Sequence, residues 1–407
     1  MARFLGYAIL RSLYVLLALA AIWGSLLWGP WLSLPLAVAM LHLVTYVERW
    51  TGPSPPDLVT APAGFGRWLS HPEDAHGLLF CGLHFAAIGS AFWLWLHPEV
   101  TGFAAPGQKL GFALGAGMWL GWSGGINMGV NFHSHAHKPI FKSDPLNRWF
   151  GRLWTVPGGI PSYWWRYKHL AVHHSHLGED RDWVQPLRRA DGRYENMWIY
   201  VLLYWPWRWG YYFSRELRQA PAAIRRRALW ELALFAVPFS IPFFVDPWMA
   251  LGLWLFPAWV GGSIVMGMGM YAQHAGGTDE QRFSHTTTFL SHFFNLTMFN
   301  AGFHVEHHEK PAVHWSELPR LHAAMKPELI EGGAHIVPYG IYRASSLLNS
   351  LFRPRQGWAR FLEQHPDYRP AASAAPPGSA REAGDETRAA WTSAALVSRD
   401  GPCGSRS

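Results

Sequence analysis

LGFALGAGMWLGWSGGINMGVNFHSHAHK, residues 110–138, carries an apolar run directly into three closely set histidines. The run from Leu110 to Phe132 has no charged side chain, and its length is near the ~20 residues a helix needs to cross a ~30 Å hydrocarbon core. A helix of that kind ends where water begins, so the histidines stand at the membrane boundary. Gly111, Gly115, Gly121, Gly124, Gly125 and Gly129 lie in the same run. They suit either close helix packing or the small walls of a narrow channel. Asn127 and Asn131, one turn apart, are placed to bond an imidazole or a neighbouring helix.

Outward from this stretch, five more apolar blocks have similar length: Ser12 to Trp28, Trp31 to Val47, Leu78 to Leu96, Leu229 to Val245 and Trp248 to Met270. The chain of 407 residues is 50% hydrophobic and 15% charged, and its 25 Trp residues gather near block ends, where an indole bridges lipid and water. Six spans are therefore expected. They pair as helical hairpins, because the connectors Gly29 to Pro30, Pro98 to Lys109 and Asp246 to Pro247 are short while the intervening segments are long. The first block follows Arg3 and Arg11 and lacks a small-residue cleavage site, so it reads as a retained helix. Trp198 to Phe213, aromatic and interrupted by Pro206 and Arg208, reads as an interfacial helix.

Lys and Arg concentrate in Glu48 to Ala75, residues 133–228 and residue 271 onward. This assigns those segments and both termini to the cytosol, and accounts for the net charge of +7 without a nucleic-acid partner. The expected fold is all-α: residues 1–366 form one integral membrane domain, with a cytosolic helical cap from 133–228 and 271–345. Residues 367–407, rich in Ala, Pro, Ser, Gly and Arg, have little to bury and are expected to be disordered. Cys81 and Cys403 are the only cysteines, too few for a Cys-based iron–sulfur or zinc motif.

Of 22 histidines, three groups lie in segments assigned to one side: HSHAHK at 133–138, HLAVHHSH at 169–176 and HVEHH at 304–308. Residues four apart on a helix share a face. His133 and His137 can thus point to one metal while His135 points elsewhere. His169 and His173 repeat that spacing, with His174 turned by ~100° toward a neighbouring ion. His304, His307 and His308 do the same at spacings of three and four. Eight imidazoles suffice for two ions with sites left open. Imidazole suits Zn, Cu, Fe and Ni alike, but a site beneath a lipid-embedded bundle is placed to receive a hydrocarbon chain, and iron is the metal that turns dioxygen against C–H bonds. His135 and His176 are expected to be non-ligands, and the isolated His42 and His84 to be packed or hydrogen-bonded.

On HSHAHK, HLAVHH and FNAGFHVEHHEKP, the chain resembles the membrane fatty-acid desaturases and their relatives, the alkane monooxygenases and carotenoid hydroxylases, from about Gly111 to Pro319. The resemblance implies hairpins in the bilayer and a cytosolic cap holding two iron ions, with dioxygen as co-substrate. It maps His133, His137, His169, His173, His174, His304, His307 and His308 onto ligand positions, and His274 in YAQHAGG onto a ninth. Two features depart from the acyl-desaturase pattern. Box two reads His-X3-His-His, as in alkane monooxygenases, and box one ends His-Lys yet has Ser134 where those enzymes carry an acid. Asn300, four before His304, and HVEHHEKP look like an acyl-lipid desaturase.

Metal-bound imidazoles usually pass their second N–H to a carboxylate or carbonyl; Glu306, Asp180, Asp182 and Asn300 are the candidates for that supporting layer. Arg166, Lys168 and Arg181 near box two could hold a carboxylate, a phosphate or an acidic carrier. Neither HPED nor HPEV, at His71 and His97, matches the HPGG heme motif of cytochrome b5, so electrons are expected from a separate donor of ferredoxin or cytochrome type. The expected function is dioxygen-dependent oxidation of a fatty acyl or hydrocarbon chain. Desaturation is favoured over hydroxylation or alkene-forming decarboxylation. A metal transporter, the rival from another class, needs polar ligands at mid-membrane, which these spans barely supply.

Overall fold

Each of the six apolar blocks falls almost wholly within a helix of the computed structural model, which describes residues 2–50, 65–177, 182–186, 195–203, 210–275, 277, 281–338 and 340–341. Helix α1 (Ala2–Arg11) buries Phe4 and Ala8 on one face and exposes Leu5 and Ile9 on the other. It bends by 60° into α2 (Leu13–Trp28), and Gly29, at φ +84°, supplies the left-handed turn into α3 (Ser33–Trp50). Next come α4 (Ala75–Leu96) and α5 (Pro106–Ile126). Pro106 opens α5, where its missing N–H costs nothing. Without a break, α5 passes through a π-wound turn, Asn127–Phe132, into His133–His137.

Helices α6 (Asp144–Thr155) and α7 (Ser162–Arg166) follow, and α7 also runs into a π-wound segment, Tyr167–His173. The segment Trp198 to Phe213 falls across α8 (Met197–Leu203) and α9 (Gly210–Gln219); residues 204–209 between them lie outside the described set. Two long helices return, α10 (Ala222–Val245) and α11 (Pro247–His274).

Among the described residues, length and apolarity qualify three helices to cross a membrane: α4 with its preceding turn, α10 and α11, and a fourth if the bent α1–α2 pair is one span. Helix α3 carries Glu48 and Arg49 at its end, and α5 is diluted by glycine, so neither reaches the apolarity of the other three.

The glycines of α5 are where helices touch. A Cβ at Gly121 would lie 2.5 Å from Val260 Cβ, and one at Gly125 would lie 2.5 Å from Val265 Cβ. Gly117 meets Phe256 in the same way, so α5 and α11 pack backbone to backbone. Polar ties fix the remaining seams. Arg152 grips Glu231 through two bonds of 2.9 and 2.5 Å, joining α6 to α10. Trp95 Nε1 donates to Asp246 Oδ2 at 2.9 Å, holding the end of α4 against the α10–α11 turn.

Beyond α11 the chain adds what an all-α reading did not foresee, a short parallel strand pair: β1 (Thr287–Phe289) beside β2 (His335–Val337), with Thr288 opposite Ile336. Between the strands lie α12 (His292–Thr297), α13 (His304–Glu309) and α14 (Leu318–Glu331). Phe283, Phe303, Leu329 and Ile336 form a separate small core that seats α13.

Candidate metal centre

Four chain segments end at one place: the end of α5, the π-wound end of α7, the end of α11, and α13. They bring all nine histidines singled out in the sequence into two adjoining groups. His133, His137, His169, His174 and His307 form one, and His173, His274, His304 and His308 form the other, with the candidate ligand atoms of each group within 4.8 Å of one another.

Which histidine joins which group depends on local winding. In the π-wound segment the His174 N–H bonds to the His169 carbonyl, five residues back, at 3.1 Å. His169 and His174 therefore share a group, with Nε2 atoms 3.1 Å apart, and His173 turns to the other. This corrects the expected pairing of His169 with His173, which assumed α-helical winding. In α13 ordinary winding holds: His304 and His308 pair at 3.1 Å, and His307 turns to the first group. His133 and His137 share a group, as the four-residue spacing implies.

The donor atoms suit a cation better than they suit each other. His169 Nε2 lies 3.0 Å from His133 Nε2, 2.9 Å from His137 Nε2 and 3.1 Å from His174 Nε2. An imidazole nitrogen has one proton or one lone pair, so it cannot satisfy three such neighbours by hydrogen bonding. Nitrogens ~3 Å apart are instead what neighbouring ligands about one ion present when each metal–nitrogen bond is ~2.1 Å. His173 Nε2 is buried with no hydrogen-bond partner, and it points the same way. Burial first, and the neighbouring imidazoles second, push His169, His174, His304 and His308 well below the ordinary histidine range; the same holds for His307. The neutral form so favoured is the one that binds metal.

The supporting residues divide. Asp182 Oδ1 accepts from His173 Nδ1 at 2.9 Å and from the Val184 N–H at 3.0 Å, both side chains of the pair being fully buried. Glu306, in contrast, bonds Thr288 at 2.7 Å and His322, not a box histidine. Its position inside box three reflects the anchoring of α13. Asn300 takes a left-handed backbone at φ +60° and donates to the Trp315 carbonyl at 3.0 Å, so it shapes the loop before α13. Asp180 and Arg181 lie outside the described residues.

His135 accepts from Ile140 N and lies 3.3 Å from the Asn147 carbonyl, and His84 bonds Ser123 at 2.9 Å. Both belong to packing, and neither they nor His176 belong to either group; the His42 side chain lies outside the described set. Lys168 is buried with its amine 5.2 Å over the Trp183 ring. His322 and Thr288 were not legible as partners of Glu306, since nothing in their spacing marks them. Trp165, stacked on His169 at 4.6 Å, did have a signal: it stands four residues before its partner.

A pocket of about 930 Å³, open mouth included, runs along α5 from Gly125 to Lys138. Val265, Met266, Met268 and Gly269 of α11 form its other wall, and His133, His137, His304 and His307 face into it, so both groups of histidines border the same apolar space.

The chain is 28% identical over 213 residues to a Caenorhabditis elegans protein named "Putative sphingolipid delta(4)-desaturase/C4-monooxygenase", a match covering 50% of this chain and 56% of the relative. It is 23% identical over 199 residues to a "Sphingolipid delta(4)-desaturase DES1-like" protein of Oryza sativa subsp. japonica, covering 46% of this chain and 56% of that one. The chain thus spans about half the length of the curated relatives it matches. The sequence profile described as "Fatty acid desaturase" matches residues 110–340, which takes in all nine histidines and every residue lining the pocket except Ile341, and on that match the chain belongs to the fatty acid desaturase family.

Proposed function

We propose that this protein is a membrane oxidoreductase that holds two iron ions on the nine histidines and oxidises a lipid acyl chain with dioxygen and electrons from a separate donor protein, chiefly by desaturation. The observation that carries the reading is the apolar pocket bordered by histidines of both groups. Bound iron would supply, with dioxygen, the oxidising power that breaks an unactivated C–H bond. The chain's own residues do the rest. Met266, Met268 and Gly269 face the substrate chain and keep water from it, and Asp182 holds the His173 tautomer so that Nε2 is free to bind. The whole of residues 1–366 acts as one unit, with the iron site and both termini on the cytosolic side.

The desaturase outcome is supported by HVEHHEKP and by the names of both relatives. One of those names also includes a C4-monooxygenase, which favours oxygen insertion as the second reading at the same site. The two differ in the fate of oxygen. Desaturation removes two hydrogens and sends both atoms of dioxygen to water; hydroxylation keeps one atom in the product. With iron-loaded protein, a donor system and labelled dioxygen, the expected product is an unlabelled alkene. A labelled alcohol as the main product would select the second reading, and absence of bound iron would overturn both.

A further inference from the structure

Four of the chain's 11 methionines, Met266, Met268, Met270 and Met298, line the pocket that histidines of both groups border. Met266 and Met270 stand two turns and one turn before His274 on α11, and both are buried, at 4% and 8% exposed. Across the seam, a Cβ at Gly129 would lie 3.2 Å from Met266 Cγ, and Gly129 is one turn before His133 on the helix that continues α5. The missing side chain lets the Met266 thioether lie against the turn next to a candidate ligand. Leu would line an apolar pocket as well as Met does. What Met adds is a sulfur that accepts an oxygen atom, whereas Val265, Val313 and Leu318 in the same walls offer only C–H bonds. An oxidant in solution meets exposed sulfur first, so the oxidant that buried sulfurs beside the histidines meet is one made there.

We propose that Met266 and Met270 are modification sites: when no chain fills the pocket, oxygen activated beside the histidines passes to their sulfurs. The proposal rests on the pocket being the substrate site of the oxidoreductase described above. For each thioether, one dioxygen, two electrons from the donor protein and two protons give one sulfoxide and one water. The sulfur loses two electrons and dioxygen gains four. A sulfoxide is polar and larger than the thioether, so it disfavours an acyl tail along these walls. A bound chain covers the sulfurs and takes the oxidation itself, which ties loss of the pocket to lack of substrate. Met128, Met249 and Met325 are equally buried but do not line this pocket, and they serve as internal controls.

The test reads the protein's own mass. Full-length, iron-loaded protein in detergent is incubated with labelled dioxygen, reduced ferredoxin and catalase, which removes free peroxide, with and without hexadecanol to fill the pocket. Peptide mass spectrometry should find one labelled oxygen on Met266, on Met270 or on both, and none on Met128, Met249 or Met325. At about ten times its Kd, hexadecanol should lower that label about tenfold. Iron-free protein should carry none. Binding of tritiated hexadecanol after incubation without it should fall in the unsubstituted protein and persist in Met266→Leu/Met270→Leu, where Leu replaces Met at nearly equal volume. Label on other methionines alone, label that hexadecanol does not lower, or no label would overturn the proposal. Donor-dependent dioxygen uptake, recorded alongside, separates the two readings: uptake without labelled methionine overturns this proposal and leaves the proposed function standing, whereas absence of bound iron overturns both.

Discussion

At the scale of single residues, the contrast between Asp182 and Glu306 shows how two nearby carboxylates take different work. Asp182 bonds His173 directly, so Asp182→Asn replaces a charged acceptor with a neutral amide and should weaken iron binding by about 10- to 100-fold. Glu306 bonds His322 and Thr288, so Glu306→Gln should lower the melting temperature by loosening α13, with iron affinity little changed. Competition with a chelator measures the first effect and thermal unfolding the second; equal iron affinity in Asp182→Asn and the unsubstituted protein would remove Asp182 from the centre. The histidines also set a pH dependence for the iron-free protein. His169, His174, His304, His307 and His308 are held below the ordinary value of ~6.5 by burial, and by one another. Unfolded, they take up protons as pH falls past about 6.5, while the folded form resists. Their contribution to stability is therefore present above that pH and declines below it. Melting temperature of the iron-free protein should fall steeply from about pH 7 to about pH 5, and a flat profile would contradict the burial of these rings.

Among elements, the α5–α11 seam and the π-wound turn carry the arrangement. The seam exists because glycines on α5 let two backbones approach. In Gly121→Ala the new methyl would sit 2.5 Å from Val260 Cβ and 3.0 Å from the Pro257 carbonyl, a clash with atoms that cannot swing away. A loss of about 1–3 kcal/mol is expected. Gly269, on the same helix as Val260, has open space where its Cβ would stand, so Gly269→Ala should be neutral or slightly stabilising through helix propensity. Thermal unfolding of both variants in one detergent tests the pair, and equal losses would mean the seam is not set by this contact. The π-wound turn answers a question left by box two. His-X3-His-His has one residue more than the acyl-desaturase pattern, and the wide turn absorbs it while still delivering His169, His173 and His174 to the two groups.

For the whole molecule, the proposed centre requires that segments distant in the chain share one aqueous face. Ser143→Cys and Lys310→Cys, in a Cys81→Ala, Cys403→Ala background, should be protected from an impermeant thiol reagent in intact cells and labelled after lysis. Val100→Cys, in the connector between α4 and α5, should be labelled from outside. Labelling of either Ser143→Cys or Lys310→Cys in intact cells would separate the boxes and break the topology.

Apolar runs, histidine spacing and charge bias are local properties, and they were enough to name the helices and all nine clustered histidines, because a helix that must leave water and a side chain that must bind metal both constrain nearby residues. The sorting of the box-two histidines between the two groups was not legible. It depends on one π-wound turn whose winding is settled by what packs around it. The partner of Glu306 was equally hidden, since His322 is brought to it from another helix. The pocket arises from four segments meeting across more than 200 residues of chain. Contacts of that range are chosen by the free energy of the whole packing, and only the tertiary structure decided them.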